Sequence, residues 1–195
     1  MMNRKIFVAL LVAMPMISPV LAGTLEGTVT VTGARNNADA VVYVSTIAGK
    51  TFAPPEKPSE MDQRDMTFVP HVLPVVVGTQ VDFKNGDPVL HNVFSPDKCA
   101  DGFNLGSWPQ GQIRSHTFDE ECAATILCNV HPEMEAFVVA VPTPYFAVTD
   151  RSGAYSISGL PDGTYTVKVW HPKRKGTETE VTVSGDTEVN FEIKR

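Results

Sequence analysis

The sequence has 195 residues and a formal net charge of −6, with 43% hydrophobic and 19% charged residues. This composition is that of a globular protein and excludes an intrinsically disordered chain, and the length allows one large domain or two small ones. The acidic balance argues against nucleic acid or anionic lipid as a partner and is compatible with attraction to a basic protein.

Residues 1–22 have the pattern of a secretory signal peptide. Arg4 and Lys5 form a positively charged start, residues 6–13 are apolar, and small residues precede a predicted cleavage site before Gly23. The apolar run is too short to span a bilayer. We therefore predict a soluble mature protein exported to the periplasm, without a membrane span. Cleavage removes two positive charges and brings the net charge to about −8.

The pattern of apolar and polar residues predicts β-strands through the remainder of the chain. Residues 24–33 (TLEGTVTVTG) alternate between apolar and polar side chains, and residues 40–45 (AVVYVS) form a short apolar run. Residues 51–63 are rich in proline and charge, which predicts a linker. Short apolar strands resume near residue 66, and a meander with turn clusters fills the C-terminal part. No amphipathic helix is evident, so the sequence predicts an all-β protein.

The two ends of the chain together resemble the carboxypeptidase regulatory-like, transthyretin-type β-sandwich. In that family two N-terminal strands precede a TD-x-x-G-x-Y turn and a GLP-x-G-x-Y turn. The matching residues here are Thr149, Asp150, Gly153, Tyr155, Gly159, Leu160, Pro161, Gly163 and Tyr165. The resemblance implies only a short connection between Ser45 and Ala147, whereas this chain has about a hundred residues between these two positions.

A whole domain is tolerated at an exposed loop whose ends lie close together. We therefore predict that a second β-sandwich is inserted into the first; the alternative is three segments of one larger sandwich. The predicted boundaries are 1–22 for the signal peptide, 23–50 plus 143–195 for the discontinuous sandwich, 51–63 for the linker and 64–142 for the inserted domain.

Three cysteines in an oxidising compartment give one pair and one residue left over. Cys122 and Cys128 lie on one predicted strand, roughly 20 Å apart, so they cannot bond to each other. We predict a Cys99–Cys122 disulfide, which leaves Cys128 available for chemistry. The alternative is that Cys99 and Cys122 remain unpaired thiols.

A thiol, an imidazole and a thioether follow at three-residue spacing in LCNVHPEME, as Cys128, His131 and Met134. Zinc usually takes several thiolates or histidines. One thiolate, imidazoles and a distant thioether suit copper instead, and such a site needs a second imidazole from elsewhere in the chain. His91, which begins a predicted strand after a Gly-Asp-Pro turn, is the candidate.

The stretch VGTQVDFKNGDPVLHNVFS followed by CNVHPEM resembles the cupredoxins, with the short ligand loop of amicyanin. The resemblance implies a Greek-key β-sandwich over about residues 64–142. It implies one type 1 copper ion held by His91, Cys128, His131 and Met134, and it makes Asn92 the residue that ties the two ligand loops together. Glu133 inside the ligand loop and the presence of Cys99 depart from the family pattern. The two-domain arrangement resembles bacterial periplasmic proteins often labelled methylamine utilization proteins.

These features predict a periplasmic blue copper protein that carries single electrons and is not an enzyme. The expected partners are redox proteins, such as a basic c-type cytochrome or a dehydrogenase. A copper-handling protein for delivery or storage is the main alternative, although the mature chain has no methionine cluster. A copper oxidase or nitrite-reductase-like enzyme needs His-x-His pairs, which the sequence lacks. A structural or sugar-binding adhesin module leaves the four ligand residues unexplained.

Overall fold

The structure is a computed structural model, and it describes residues 22–194. The predicted signal peptide therefore lies outside the described residues, apart from Ala22. Within 22–194, no helix is long and apolar enough to cross a membrane.

The prediction of an all-β protein is confirmed, because the described residues form strands and a single 3₁₀ turn but no α-helix. The strands are β1 (Ala22–Val31), β2 (Val41–Val44), β3 (Ser59–Arg64), β4 (Thr67–Val69), β5 (Val72–Val76), β6 (Thr79–Asn85), β7 (His91–Phe94), β8 (Asn104–Trp108), β9 (Ile113–Phe118), β10 (Cys122–Leu127), β11 (Glu135–Val141), β12 (Phe146–Val148), β13 (Ala154–Pro161), β14 (Gly163–His171), β15 (Arg174–Val183), β16 (Thr187–Glu188) and β17 (Phe191–Ile193).

The strands form four sheets, which pair into two sandwiches. In the first, which we call the mid-chain sandwich, a sheet of order β4-β3-β6-β9 faces a sheet of order β5-β11-β10-β7-β8. In the second, the terminal sandwich, β13-β1-β16 with β17 faces β12-β2-β14-β15. In chain order, the mid-chain sandwich lies between β2 and β12 of the terminal sandwich, and these two strands are antiparallel neighbours.

Each sandwich has its own buried core, formed by the alternation that the sequence shows. In β1, Leu25, Val29 and Val31 are buried and belong to the terminal core. In β6, Val81 and Phe83 are buried and belong to the mid-chain core. The intervening polar side chains face outward, as expected for sheets with one covered face.

The linker predicted for residues 51–63 ends earlier than the sequence suggested. Residues 59–64 form β3, which pairs with β4 and β6, so the mid-chain sandwich begins at Ser59 rather than at residue 64. The segment carries only one buried apolar residue, Met61, while Asp62 and Gln63 are buried polar residues. Backbone pairing with two neighbouring strands decides its conformation here, and side-chain patterning does not.

The two sandwiches pack against each other through a third apolar cluster. From the terminal sandwich, Val41 and Tyr43 of β2 contribute buried side chains; the mid-chain sandwich contributes Val72 of β5 and three residues of β11, Phe137, Val139 and Val141. The other face of β11 lies in the mid-chain core. Strand β11 is therefore covered on both sides, and the four sheets form one stack.

The predicted disulfide is present and joins Cys99, in the 3₁₀ turn before β8, to Cys122 at the start of β10. The two cysteines are 23 residues apart in the sequence. Cys128 is the remaining cysteine and is buried.

We expect the double variant Cys99→Ala/Cys122→Ala to lower the free energy of unfolding by about 3 kcal/mol. The reason is that the bond removes loop-closure entropy from the unfolded chain. Urea unfolding of metal-free protein measures this difference. Addition of a reductant to the wild type should reproduce the loss, whereas equal unfolding midpoints with and without reductant would contradict the prediction.

Candidate metal centre

Three of the predicted ligand residues meet at one end of the mid-chain sandwich. The Nδ1 atom of His91 lies 4.0 Å from Sγ of Cys128, and Nδ1 of His131 lies 3.9 Å from the same sulfur. The two Nδ1 atoms are 3.0 Å apart. Within residues 22–194, this is the one group of three or more histidine, cysteine or acidic side chains whose donor atoms converge closely enough for a metal ion.

Strand ends hold these residues in place. His91 is the first residue of β7, Cys128 directly follows β10, and Met134 directly precedes β11. Strands β7 and β10 are antiparallel and paired at Phe94 and Leu127. The start of β7, with His91, and the end of β10, next to Cys128, therefore lie at the same end of the sheet. A rigid sheet thus holds a short loop in place, and such a scaffold positions metal-binding side chains precisely.

Asp87 fixes the orientation of the His91 ring. Its Oδ2 lies 2.8 Å from Nε2 of His91, which is completely buried. Burial alone would raise the pKa of Asp87, but hydrogen bonds from the backbone N–H of Met66, from His91 and from the backbone N–H of Asp65 outweigh it and lower the pKa. An ionised carboxylate only accepts hydrogen bonds, so His91 Nε2 donates, and in a ring with a single proton Nδ1 is the nitrogen left free to bind a metal.

The two backbone N–H groups that bind Asp87 come from the tight turn between β3 and β4. The N–H of Asp65 donates to Oδ1 at 2.8 Å and that of Met66 donates to Oδ2 at 3.0 Å. Both residues have positive φ angles, of 53° and 59°. The turn at the end of β3 is therefore connected to the His91 ring through a single carboxylate.

Asn92 lies between the two loops that carry His91 and Cys128. Its Oδ1 accepts the backbone N–H of Asn129 at 3.2 Å, and its own backbone N–H points at Sγ of Cys128 at 3.4 Å. The Nδ2 group donates to Oδ1 of Asn104 and to the carbonyl of Gly106. Asn92 thereby fixes the start of the ligand loop and supplies the sulfur with a hydrogen-bond donor.

Met134 closes the loop and is buried, with 1% of its surface exposed. Its backbone N–H donates to the carbonyl of His131 at 3.0 Å, which makes a tight turn of the segment that carries the imidazole. Glu133 is exposed and lines an adjoining cavity together with Met134. The carboxylate that departs from the family pattern thus lies on the exposed side of the loop, outside the buried cluster.

The donor atoms suit a metal ion with nitrogen and sulfur ligands. Metal–nitrogen and metal–sulfur bonds are about 2.0–2.3 Å long, so a trigonal site separates its donors by about 3.5–3.8 Å. The triangle of His91, Cys128 and His131 has sides of 3.0, 3.9 and 4.0 Å. Two imidazole nitrogens and one thiol, with the thioether of Met134 in the same buried cluster as Cys128, form the donor set that copper prefers over zinc.

The other histidines lie outside this cluster. His71 Nδ1 is 2.9 Å from Oδ2 of Asp39, at the junction of the two sandwiches. His116 stacks on Phe103, and burial lowers its pKa. His171 is buried in the terminal sandwich, where its Nδ1 accepts the backbone N–H of Lys173. None of these three rings contributes to the group of converging donors.

Sequence reasoning missed Asp87 as a residue of the site. A signal was present, because a histidine ligand usually donates its second ring N–H to a carboxylate or carbonyl and Asp87 stands four residues before His91. Its partners on the turn after β3 could not be inferred, because that turn lay at the edge of the predicted linker.

Exposed apolar side chains flank the two imidazoles in the sequence. Val89 and Leu90, directly before His91, are 43% and 54% exposed, and Val130, directly before His131, is 47% exposed. His131 itself is half-buried, whereas His91 is fully buried. The cluster therefore approaches the surface through His131, within an apolar border.

Comparison with protein families gives one match. Residues 132–194 match the family model described as the carboxypeptidase regulatory-like domain. This range covers the strands from β11 to β17 and includes the two turn motifs that carried the resemblance in the sequence. No curated protein matches the chain.

Several solved structures are similar to parts of the chain. They include a purple cupredoxin from Nitrosopumilus maritimus, at 26% identity over 42% of this chain and 98% of that one, with a TM-score of 0.39. A reduced tryptophan-to-tyrosine mutant of amicyanin matches at 24% identity over 45% of this chain and 91% of that one, with a TM-score of 0.42. A copper-containing nitrite reductase from Thermus scotoductus matches at 21% identity over 51% of this chain but only 25% of that one, with a TM-score of 0.43. Both families named from the sequence motifs thus recur among the comparisons.

Proposed function

We propose that the protein is a periplasmic type 1 copper protein that carries single electrons between redox partners. One observation carries the proposal: two imidazole Nδ1 atoms and a buried thiol converge within 4.0 Å of one another. The two Nδ1 atoms lie 3.0 Å apart, so one ring can donate a proton to the other in the metal-free chain, and both can bind the same cation in the loaded protein. A metal ion held by Cys128, His91 and His131 would take the place of that proton.

The buried loops prepare this set of ligands before any ion arrives. Asp87 holds His91 in the tautomer that leaves Nδ1 unprotonated, and the N–H of Asn92 points at the Cys128 sulfur. A copper ion bound there would supply a change between Cu(I) and Cu(II). Because hydrogen bonds hold the His91 ring and the Cys128 sulfur, these two side chains need to move little when the charge at the site changes.

Electrons would enter and leave at the edge that His131 forms. The exposed side chains of Leu90 and Val130 next to the two histidines offer an apolar contact that a partner can cover without burying charge. The net negative charge of the whole chain favours a basic partner by long-range attraction. A c-type cytochrome with a basic surface, or a dehydrogenase, fits these requirements.

The periplasm is the compartment that best suits these features. The signal-peptide pattern in residues 1–22 predicts export. The Cys99–Cys122 disulfide supports it, because such bonds persist in oxidising compartments.

Titration of the purified, metal-free protein with Cu(II) tests the proposal. We expect one equivalent of copper to bind and to produce an intense blue thiolate-to-copper absorption band. One equivalent of reductant should bleach the band, and reoxidation should restore it without loss of metal. A colourless protein that binds copper weakly, or one that releases copper on reduction, would contradict electron transfer and favour copper delivery or storage.

A further inference from the structure

Strand β11 connects the candidate copper site to the terminal sandwich. Its first residue follows Met134 directly, and its side chains alternate between two apolar clusters. Ala136 and Val138 lie in the mid-chain core, while Phe137 and Val139 lie in the cluster between the sandwiches. Whatever fixes β11 on its outer face also fixes the end of the ligand loop.

Phe137 is the buried outer-face residue closest to the ligand loop. In the pairing of β10 with β11, Leu127 stands opposite Glu135 and Thr125 stands opposite Phe137. Glu135 shares the outer face but is exposed. On the face of β11 that is turned toward the terminal sandwich, Phe137 therefore makes the contact that holds the beginning of the strand.

The terminal sandwich supplies the partner of Phe137. The ring of Trp170, on β14, lies 5.5 Å from the Phe137 ring at an angle of 59°. The edge-on ring of His71 lies 5.6 Å from the same ring. The N–H of Phe137 donates to the carbonyl of His71 at 2.9 Å, and the His71 ring is bound to Asp39 of the terminal sandwich. Two elements of the terminal sandwich thus support a single residue of β11.

The hairpin that follows Trp170 faces the ligand loop across a cavity. Lys173, between β14 and β15, lines a cavity of about 570 Å³ together with Glu133, Met134 and Glu135. The terminal sandwich is therefore a neighbour of the Met134 side of the site. Its side chains lie close enough to this part of the site to influence the conformation of the ligand loop.

We propose that Trp170 is a positioning residue for the ligand loop and acts through Phe137 and the beginning of β11. The terminal sandwich then forms part of the scaffold that keeps Met134 and the Cys128–Met134 turn in place. The structural part of this inference holds for the metal-free chain. Only its consequence for copper rests on the proposed function.

Tyr43 offers a matched control in the same interface. Tyr43 is also an aromatic residue of the terminal sandwich, but it binds near the other end of β10, where its hydroxyl lies 3.3 Å from Oε1 of Glu121. It lines a second cavity with Trp170, Cys122 and Ala123, and the two β10 residues lie at the end of that strand away from the ligand loop. Truncation of Tyr43 removes contacts near that end of β10 and leaves the ring contact between Trp170 and Phe137 in place.

The test is hydrogen exchange of metal-free Trp170→Ala, Trp170→Leu, Trp170→Phe and Tyr43→Ala, read at the amides of Met134 and Asn129. Both amides make hydrogen bonds that close the ligand loop. We expect exchange at Met134 to quicken by about tenfold in Trp170→Ala, because loss of an aromatic contact promotes local opening. Trp170→Leu should give a smaller increase, Trp170→Phe should restore the wild-type rate, and Tyr43→Ala should leave it within about twofold.

A second measurement addresses the copper-loaded protein. The electron paramagnetic resonance spectrum of Cu(II) should change in Trp170→Ala and remain that of the wild type in Tyr43→Ala. Unchanged exchange in Trp170→Ala, or equal acceleration in Trp170→Ala and Tyr43→Ala, overturns the positioning role. If no variant binds copper but the exchange pattern is as expected, the proposed function fails while the positioning role of Trp170 stands.

Discussion

Replacement of Cys128 with serine is expected to abolish the blue absorption band entirely and to weaken copper binding by at least about a hundredfold. The band requires a thiolate ligand, and a hydroxyl at this position neither ionises at neutral pH nor binds copper as a soft donor. Cys128 is buried and lies within 4.0 Å of both imidazole Nδ1 atoms, so no other thiol in the cluster replaces it. Absorption spectroscopy during titration with Cu(II) measures both effects.

The other two cysteines provide the control. The double variant Cys99→Ser/Cys122→Ser removes the same kind of atom from the disulfide, outside the ligand cluster. It should be less stable but should keep the blue band. A Cys128→Ser protein that stays blue, or a disulfide variant that loses its colour while folded, would contradict the assignment of Cys128 as the thiolate ligand.

Replacement of Asp87 with asparagine is expected to lower copper affinity by about 10–100-fold, the usual effect of removing the partner of a histidine ligand. The amide keeps one acceptor oxygen, whereas the carboxylate accepts hydrogen bonds from Asp65, Met66 and His91. At least one of these N–H groups therefore loses its partner, and a neutral amide holds the N–H of His91 less strongly than the carboxylate does. Competition titration with a copper chelator of known affinity measures the change.

Asp82→Asn is the matched control. Asp82 is another aspartate of the mid-chain sandwich, but its carboxylate accepts hydrogen bonds from Gln80 and Ser115, in the sheet opposite the ligand strands. Its variant should bind copper like the wild type. Equal affinities for Asp87→Asn and wild type would show that the hydrogen bond to His91 does not organise the site.

The strands and the ligand loop were predictable because their signals are local. Alternation in β1 and in β14 marks the buried faces directly, as Leu25 and Val167 illustrate. Cys128, His131 and Met134 stand at fixed spacing in a single loop, so one stretch of sequence contains most of the donor set. His91 was inferred from its place at the start of a predicted strand and from the resemblance to cupredoxins, and the structure brings it next to this loop.

The features that were missed depend on contacts distant in the sequence. The β3 segment has a single buried apolar residue, Met61, and becomes a strand only because β4 and β6 provide its hydrogen bonds. Asp87 belongs to the site through backbone groups of the turn that follows β3. The contact of Trp170 with Phe137 joins two sandwiches, and no pattern within either segment indicates it.

The pairing of β2 with β12 has a consequence for the order of folding. The hydroxyl of Thr143 donates to the carbonyl of Val44 across 99 residues of chain, and the rings of Phe52 and Tyr145 touch where the chain leaves and returns. Closing an unfolded loop of that length costs about 4 kcal/mol in chain entropy. A mid-chain sandwich that is already folded holds the two ends of the loop together and removes most of this cost. The terminal sandwich therefore closes more readily around a folded mid-chain sandwich than around an unfolded one.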